Sequence, residues 1–281
     1  MKTTVSFRFS ELALALMLVP ACVRAQEQSA VGVMPAPHQV VSSLSAGVGH
    51  TKAMDGFLSP LEYDGTAFSL SEDRVAAIGG EESIFRFLRT HNSLLFSSMK
   101  NETGGGSTLQ FMADANCMWG WPALHTDIFD LIAGPVAMLD IGALWNRRNS
   151  NNPANVEGNL SLGAGADGTL RFRLRSYPMA LQGTLFIPLS GIGFAPDYDQ
   201  PYWIMYTGSQ YGRTLHFTHM FNNPSVTCDM ALCLPVKNGQ VRMGWTADYS
   251  TDKLGGNRTR ISHNMFNLGY AYRFERKYNG R

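Results

Sequence analysis

The sequence has little charge, few cysteines and no long apolar run after its N-terminus. Charged residues make up 16% of its 281 residues, against about 25% in ordinary soluble domains. The net charge of +1 gives no reason to expect a nucleic-acid partner. Beyond residue 25 the longest apolar run is 131–139, which Pro135 interrupts; a membrane-spanning helix needs about 20 residues. These features argue against a helical membrane protein and, with the shortage of charge, against disorder.

The N-terminus predicts export from the cytoplasm. Lys2 and Arg8 precede an apolar run over 12–23, which is too short to span a membrane but fits the apolar region of a secretory signal. Small residues at Val23 and Ala25 allow cleavage before residue 26. We therefore expect a signal peptide over 1–25 and one domain over 26–281. Two alternatives stay open, a buried N-terminal helix and a lipoprotein signal in which Cys22 is lipidated.

The cysteines predict neither a disulfide framework nor a metal site. Removal of 1–25 leaves Cys117, Cys228 and Cys233, and three cysteines cannot all pair. Cys228 and Cys233 are five residues apart, so on one strand they face opposite sides. No Cys/His spacing typical of a metal site occurs, and we expect no cofactor.

Glycine and aromatic residues are abundant instead, and side chains alternate with a period of two. The chain has 28 glycines, and aromatics make up 11%. The clearest strand is predicted over 261–275, where every even position between 266 and 274 is large and apolar: Phe266, Leu268, Tyr270, Tyr272 and Phe274. The odd positions are small or polar, so this strand has one apolar and one polar face.

A hairpin is predicted between strands 225–236 and 240–250. Both strands alternate, and Asn238-Gly239 between them is a strong two-residue turn signal. A turn at 238–239 sets apolar residues opposite one another, which makes the register self-consistent. The predicted pairs are Val236 with Val241, Leu234 with Met243, and Leu232 with Trp245.

The same pattern predicts about twelve strands in all. A hairpin at Asp167-Gly168 would set Leu162 opposite Arg173, so we interpret 156–176 as one long strand. The candidate strands are 39–50, 62–73, 83–98, 106–119, 131–147, 156–176, 179–189, 199–208, 212–221, 225–236, 240–250 and 261–275. Twelve is an even number, as in bacterial outer-membrane barrels, and ten to fourteen strands stay possible.

Several features favour an antiparallel transmembrane β-barrel over a soluble β protein. The apolar faces are aromatic near strand ends, the opposite faces carry small residues, and predicted strands of about 10 to 20 residues exceed the about 9 to 11 that a tilted strand needs to cross a membrane. The short turn at 238–239 and the long polar connection 251–260 alternate as periplasmic turns and extracellular loops do.

Five segments of the chain carry a family resemblance. They are Phe57-Leu58-Ser59-Pro60-Leu61-Glu62-Tyr63, Ile187-Pro188-Leu189-Ser190-Gly191, Phe194-Ala195-Pro196-Asp197-Tyr198, Gln200-Pro201-Tyr202-Trp203 and His216-Phe217. Together they resemble an uncharacterised family of secreted, outer-membrane-associated proteins from Bacteroides-type Gram-negative bacteria. The resemblance covers about 40–275. It implies an outer-membrane location and a β-barrel, and it implies no site residues.

Candidate catalytic and binding residues are few. His216 and His219 have opposite parity on one predicted strand, which does not make a metal pair. Ser209 or Ser225 with His219 is named as a candidate for a lipid hydrolase, although no triad spacing supports it. The stripe Arg171, Arg173 and Arg175 is interpreted as an interior row neutralised by carboxylates such as Asp229 or Asp248. A pore attractive to anions or a lipopolysaccharide contact is the alternative.

The sequence therefore predicts a non-enzymatic β-barrel in the outer membrane of a Gram-negative bacterium. We expect a closed or narrow barrel that is a structural or accessory subunit of an outer-membrane assembly, or a small-solute channel. Its expected partners are outer-membrane lipid, lipopolysaccharide and other proteins of that membrane. The alternatives are an outer-membrane lipid hydrolase or lipid A-modifying enzyme, and a soluble secreted or lipid-anchored β protein.

Overall fold

The computed structural model describes residues 34–36, 39–80, 82–102, 105–148, 153–197, 200, 202, 207–208, 211–237 and 239–275. The predicted signal peptide over 1–25, with Cys22, lies outside these residues. The strands are β1 (Gln39–Asp55), β2 (Ser59–Ala77), β3 (Phe87–Asn101), β4 (Ser107–His125), β5 (Phe129–Asn146), β6 (Ala154–Leu174), β7 (Tyr177–Phe194), β8 (Leu215–His219), β9 (Ser225–Val236), β10 (Gly239–Asp252) and β11 (Thr259–Glu275). Within the described part of the chain, no helix is long and apolar enough to cross a membrane.

The strands form a closed antiparallel barrel. From β1 to β7 each strand pairs with the next in the chain, and β9, β10 and β11 continue the series until β11 pairs with β1. Strand β7 pairs with β8 through 190–194 and with β9 through 180–186. Strands β8 and β9 therefore share one position, and the described residues give a barrel of ten strands.

The prediction of about twelve strands is thus wrong, although ten is within the predicted range. The predicted strands 212–221 and 225–236 are two segments of one position, interrupted by a turn at 220–223. Alternation shows where strands lie but not which of them share a neighbour. The predicted strand 199–208 falls largely outside the described residues, and Tyr202, Thr207 and Gly208 have helical backbone.

The hairpin between β9 and β10 is confirmed, but its register is shifted by two residues. Val236 pairs with Gly239, Leu234 with Val241 and Met230 with Trp245, so the turn is 237–238. A shift of two keeps apolar side chains opposite one another, because side chains alternate with a period of two. Parity alone therefore permits either register. The prediction that 156–176 is one strand is confirmed by β6.

Apolar side chains point out of the barrel and polar ones into it. In β11, Phe266 and Leu268 are 53% and 56% exposed, whereas Met265 and Asn267, which alternate with them along the strand, are buried. Met230 and Trp245 on the neighbouring strands are 43% and 45% exposed, while Leu234 on the same face is buried. An apolar exterior around a polar lumen is the reverse of a soluble barrel and is typical of outer-membrane barrels.

The inner faces carry small residues where the lumen is crowded. A Cβ on Gly165 of β6 would lie 2.6 Å from the sulfur of Met118 and 3.0 Å from the ring of Phe186. A larger residue at Gly165 would force these buried side chains to move. Part of the glycine excess therefore reflects a lumen filled with side chains.

The two ends of the barrel differ. We call the end where β1 begins and β11 ends the terminal rim, and the opposite end the loop rim. The connections at the terminal rim are 78–86, 126–128, 175–176 and 237–238. Those at the loop rim are 56–58, 102–106, 147–153, 195–214 and 253–258. The short turn after β9 and the longer loop after β10 are thus at opposite ends, as predicted.

Candidate functional site

A buried layer of charged side chains crosses the lumen near the terminal rim. We call it the arginine layer and define it as Asp73, Arg89, Asp167, Asp229 and Arg242. Asp73 lies near the end of β2, Arg89 near the start of β3 and Arg242 near the start of β10, which places them at the same end of the barrel. Their positions have inward parity, so the alternation of each strand points them into the lumen.

Ion pairs connect this layer from one wall to the opposite wall. Arg89 Nη2 donates to Asp73 Oδ1 at 2.7 Å, and Arg89 Nη1 contacts Asp167 Oδ2 on β6. Arg242 Nη1 lies 3.4 Å from Asp73 Oδ2, and Arg242 Nη2 lies 3.7 Å from Asp229 Oδ1. The pair between β2 and β3 joins neighbouring strands, whereas the pairs from β10 to β2 and from β3 to β6 cross-link strands that are not neighbours.

Each charge in this layer has a close partner of opposite sign. Arg89 is 2% exposed and Asp167 is fully buried. Two arginines face three aspartates, and His91 Nδ1 lies 2.9 Å from Asp73 Oδ1. Arg242 also donates to the hydroxyl of Ser43 at 2.5 Å. Breaking such a buried pair by removing one partner costs about 3–5 kcal/mol, so the layer is held firmly.

Little empty space remains at this level of the lumen. The cavity beside the arginine layer has a volume of about 30 Å³, which is room for only a few waters. An apolar cluster packs in the same half of the barrel. Its members are Val75, Phe87, Met118, Ile132, Val136, Met138 and Phe186. Together the cluster and the arginine layer fill the lumen with side chains.

Towards the loop rim the lumen opens into two adjoining cavities of about 90 and 50 Å³. We call them together the acidic chamber. They share five lining residues: Met112, Asp114, Asp140, Thr227 and Asp248. Asp252 and Glu157 line the larger cavity on its loop side. None of the residues that line either cavity is a lysine or an arginine.

Neutral hydroxyl groups donate hydrogen bonds to carboxylates of the acidic chamber. Ser93 donates to Asp114 at 2.7 Å, and Thr227 donates to Asp248 at 3.4 Å. Asp114 and Asp140 are opposite each other in the β4–β5 register, so their side chains are neighbours on the inner face of the wall. Within the described residues, no group of His, Cys, Asp or Glu is arranged to hold a metal ion.

A second polar cluster lies beside the acidic chamber and joins side chains of β1, β3, β4 and β11. Gln110 is 1% exposed, and its Oε1 accepts from Thr51 at 3.1 Å and from Ser97 at 3.0 Å. His263 Nε2 lies 3.4 Å from the same oxygen. Asn116 does not belong to this cluster. Asn116 is 4% exposed and lines the smaller cavity, and its Oδ1 has no hydrogen-bond partner among the described residues.

At the loop rim, the β7–β8 connection is tied to the barrel wall through Tyr202. Its hydroxyl donates to Asn155 Oδ1 at 3.0 Å and accepts from the Val156 amide at 2.6 Å. Its ring packs edge-on against Phe57 at a centroid distance of 6.0 Å. Burial, with the nearby carboxylates of Glu157 and Asp55, raises the pKa of Tyr202 to about 12. The phenol is therefore neutral and donates a hydrogen bond at ordinary pH.

The predicted arginine row does not line the lumen. Arg171 contacts the carboxylate of Asp130 at the terminal rim, and Arg173 and Arg175 are exposed. Arg175 occupies the β6–β7 turn with a φ of 59°. The predicted partners of the row were Asp229 and Asp248, which instead belong to the arginine layer and the acidic chamber. The three arginines do have the inward parity that the prediction assigned to them. They lie at the end of β6 and just beyond it, however, nearer to the terminal rim than the side chains that cross the lumen.

The structure does not bring the predicted hydrolase candidates together. His219 stacks between Phe217 and Phe221, and its Nδ1 accepts from the Phe221 amide. Ser225 lines the acidic chamber, and no hydrogen bond between it and His219 is among the described contacts. Ser209 lies outside the described residues. His216 bonds the carbonyl of Ala195 at 3.0 Å, apart from His219.

Sequence reasoning missed the inward-facing charges that form both clusters. Asp73, Arg89, Asp114, Asp140 and Asp167 stand at inward positions of strands whose outward positions are apolar. A charged residue on the polar face of an alternating strand was the available signal. The sequence does not tell which of these charges meet, because that depends on the shear and closure of the barrel.

The wall and the lumen define the class of protein. This is a closed antiparallel barrel with an apolar exterior and a polar, filled interior, the architecture of outer-membrane barrels. The chain belongs to the family described as "Protein of unknown function (DUF3316)", whose model matches residues 12–279. No curated protein sequence matches the chain. The resemblance to an uncharacterised family is confirmed at this level.

Solved outer-membrane barrels have a similar fold. The outer membrane protease OmpT from Escherichia coli aligns with a TM-score of 0.52 and 10% identity, over 88% of this chain and 100% of that chain. The translocator domain of the autotransporter NalP from Neisseria meningitidis aligns with a TM-score of 0.38 and 10% identity, over 94% of this chain and 98% of that one. At such identities the OmpT match shows the fold alone.

Proposed function

We propose that the chain is an outer-membrane protein whose barrel is closed to solutes and whose role is structural or accessory. It resides in the outer membrane of a Gram-negative bacterium, of the Bacteroides type that the sequence resemblance implies. The terminal rim faces the periplasm and the loop rim faces outward, because short turns are periplasmic and long loops extracellular in such barrels.

The arginine layer is the observation that carries the closed state. Its ion pairs join β10, β2, β3 and β6 across the lumen, and the cavity beside it has room for only a few waters. A hydrated solute has no continuous path past this level while the pairs are formed. Of the two roles that the sequence predicts, a structural subunit is therefore favoured over a small-solute channel.

The exterior supports the proposed location. Exposed aromatic and aliphatic side chains cover the outer surface and suit contact with acyl chains, while aromatic residues near the barrel ends suit the membrane interfaces. Near the terminal rim, the Arg74 guanidinium lies 5.7 Å above the ring of Phe274, an arrangement that suits an interfacial position. Outer-membrane lipid and lipopolysaccharide are the proposed surroundings.

Conductance in planar lipid bilayers tests the closed state. The full chain, refolded into bilayers, is expected to give no stable ion conductance. A variant with Arg89→Ala and Arg242→Ala, which removes both cations of the layer, is expected to conduct if it inserts. Heat-modifiable migration on gels checks that each preparation is folded. A stable conductance of the unmodified protein would overturn the proposal.

A further inference from the structure

We propose that the acidic chamber binds a small organic cation, a primary ammonium or guanidinium group, which its carboxylates and the Asn116 carbonyl hold. The inference goes beyond a closed structural barrel, since it assigns a ligand to the loop half of the lumen. It rests on the charge of the chamber, on an unpaired buried acceptor and on the chemistry of the lining.

The aspartates of the chamber form no ion pair among the described residues. Asp114, Asp140 and Asp248 line the space that the two cavities share, and no lysine or arginine is among the lining residues. Buried like charges raise the free energy of the folded state unless protons or counter-ions offset them. His91 lines the smaller cavity but is paired with Asp73, and Asp248 on the facing strand β10 has no ion pair among the described residues.

Asn116 supplies an independent sign of a missing partner. Its side chain is buried, lines the smaller cavity together with Asp114 and Asp140, and its Oδ1 accepts no hydrogen bond. Buried amide oxygens in folded proteins are nearly always paired. A cation that carries several N–H groups would donate to this oxygen and to the carboxylates at once.

The lining selects the class of cation. Every group singled out here is an oxygen acceptor, and the donors Ser93 and Thr227 are already engaged with Asp114 and Asp248. The described acidic and histidine side chains are not arranged as a metal site, which argues against a divalent ion. Cavities of about 90 and 50 Å³ suit an amine rather than a large solute.

Isothermal titration calorimetry with putrescine tests the proposal on the full chain in detergent micelles. We expect one putrescine to bind per chain and 1,4-butanediol, the neutral analogue, not to bind. Asp140→Asn and Asp248→Asn should each weaken the affinity at least tenfold. Asp64→Asn, which removes an exposed carboxylate that pairs with His50 at 3.3 Å, is the matched control and should bind as the unmodified chain does.

A second measurement does not depend on how the variants fold. Met112 lines both cavities, so its methyl NMR signal, assigned with Met112→Leu, should shift when putrescine is added to the unmodified chain. The proposal is overturned if millimolar putrescine neither releases heat nor shifts this signal, if all variants bind equally, or if Mg²⁺ binds in preference to the amine. Conductance tests the closed barrel separately, so the two proposals can fail independently.

Discussion

Buried charges form ion pairs in one half of the lumen and not in the other. Near the terminal rim, Arg89 and Arg242 compensate the aspartates around them, and ion pairs connect opposite walls. Near the loop rim, no described ion pair includes Asp114, Asp140 or Asp248, and hydroxyl groups donate to Asp114 and Asp248. The same residue type, aspartate at inward positions, is thus a stabilising element in one half and a source of repulsion in the other.

This difference separates a structural half from a half free to bind ligand. Paired charges and the apolar cluster leave about 30 Å³ beside the arginine layer, whereas the acidic chamber keeps more space. Stability and binding commonly oppose each other, because binding sites keep groups that the free protein does not satisfy. Substitutions that alter charge in one half at a time test whether the contrast is real.

Arg89→Ala is expected to have the largest effect. It removes the ion pairs with Asp73 and Asp167 and leaves Asp167 buried without its cation. We expect the free energy of unfolding to fall by about 3–5 kcal/mol, measured by urea unfolding in detergent micelles or vesicles. Arg173→Ala, which truncates an exposed arginine, is the control and should change it by less than about 0.5 kcal/mol. Equal effects of the two would contradict the structural role of the layer.

Asp167→Asn is expected to destabilise less. The amide is nearly isosteric with the carboxylate and still accepts a hydrogen bond from Arg89, but the opposite charge is lost. The expected loss is about 1.5–3 kcal/mol, the range for a hydrogen bond to a charged group. The same urea titration measures it. A neutral result would mean that Asp73 alone compensates Arg89.

Asp140→Asn is expected to have the opposite sign. It removes one carboxylate of the pair that Asp114 and Asp140 form across β4 and β5 and puts a neutral amide in its place. We expect stability to rise by about 1 kcal/mol, since the variant relieves repulsion between buried like charges. Opposite signs for the same aspartate-to-asparagine change at 140 and 167 would confirm the contrast. A loss at both positions would mean that the chamber is compensated as well as the layer is.

The sequence predicted the faces of the barrel better than its contacts. Alternation placed Phe266 and Trp245 outside and Asp229 inside, as the structure has them. It did not give the register of the β9–β10 hairpin, because a shift of two residues preserves parity. It did not give the strand count either, since β8 and β9 alternate as separate strands do and yet occupy one position along β7.

The candidate site could not be predicted from the sequence, for a related reason. Arg89 and Asp167 are far apart in the sequence, and only the closure of the barrel brings β3 opposite β6. The arginines of 171–175 form a recognisable pattern in the sequence because they are close together in the chain, yet they lie at the terminal rim. Local spacing identifies sites built within one element, whereas these clusters are built from five or more strands.

Tyr202→Phe should have the smallest effect. It tests whether the loop rim of the barrel opens without unfolding the half that contains the arginine layer. The change removes the hydrogen bonds to Asn155 and the Val156 amide but keeps the ring against Phe57. We expect the β7–β8 connection to open about 1 kcal/mol more easily, which limited proteolysis would detect as roughly fivefold faster cleavage. Urea unfolding of the barrel should be unchanged, because the arginine layer is remote from this contact.

Tyr272→Phe, on the exterior of β11, is the matched control and should change neither the cleavage rate nor the urea unfolding. If Tyr202→Phe lowered the stability of the whole barrel as much as Asp167→Asn does, the two halves would form one cooperative unit and the contrast between them would be lost.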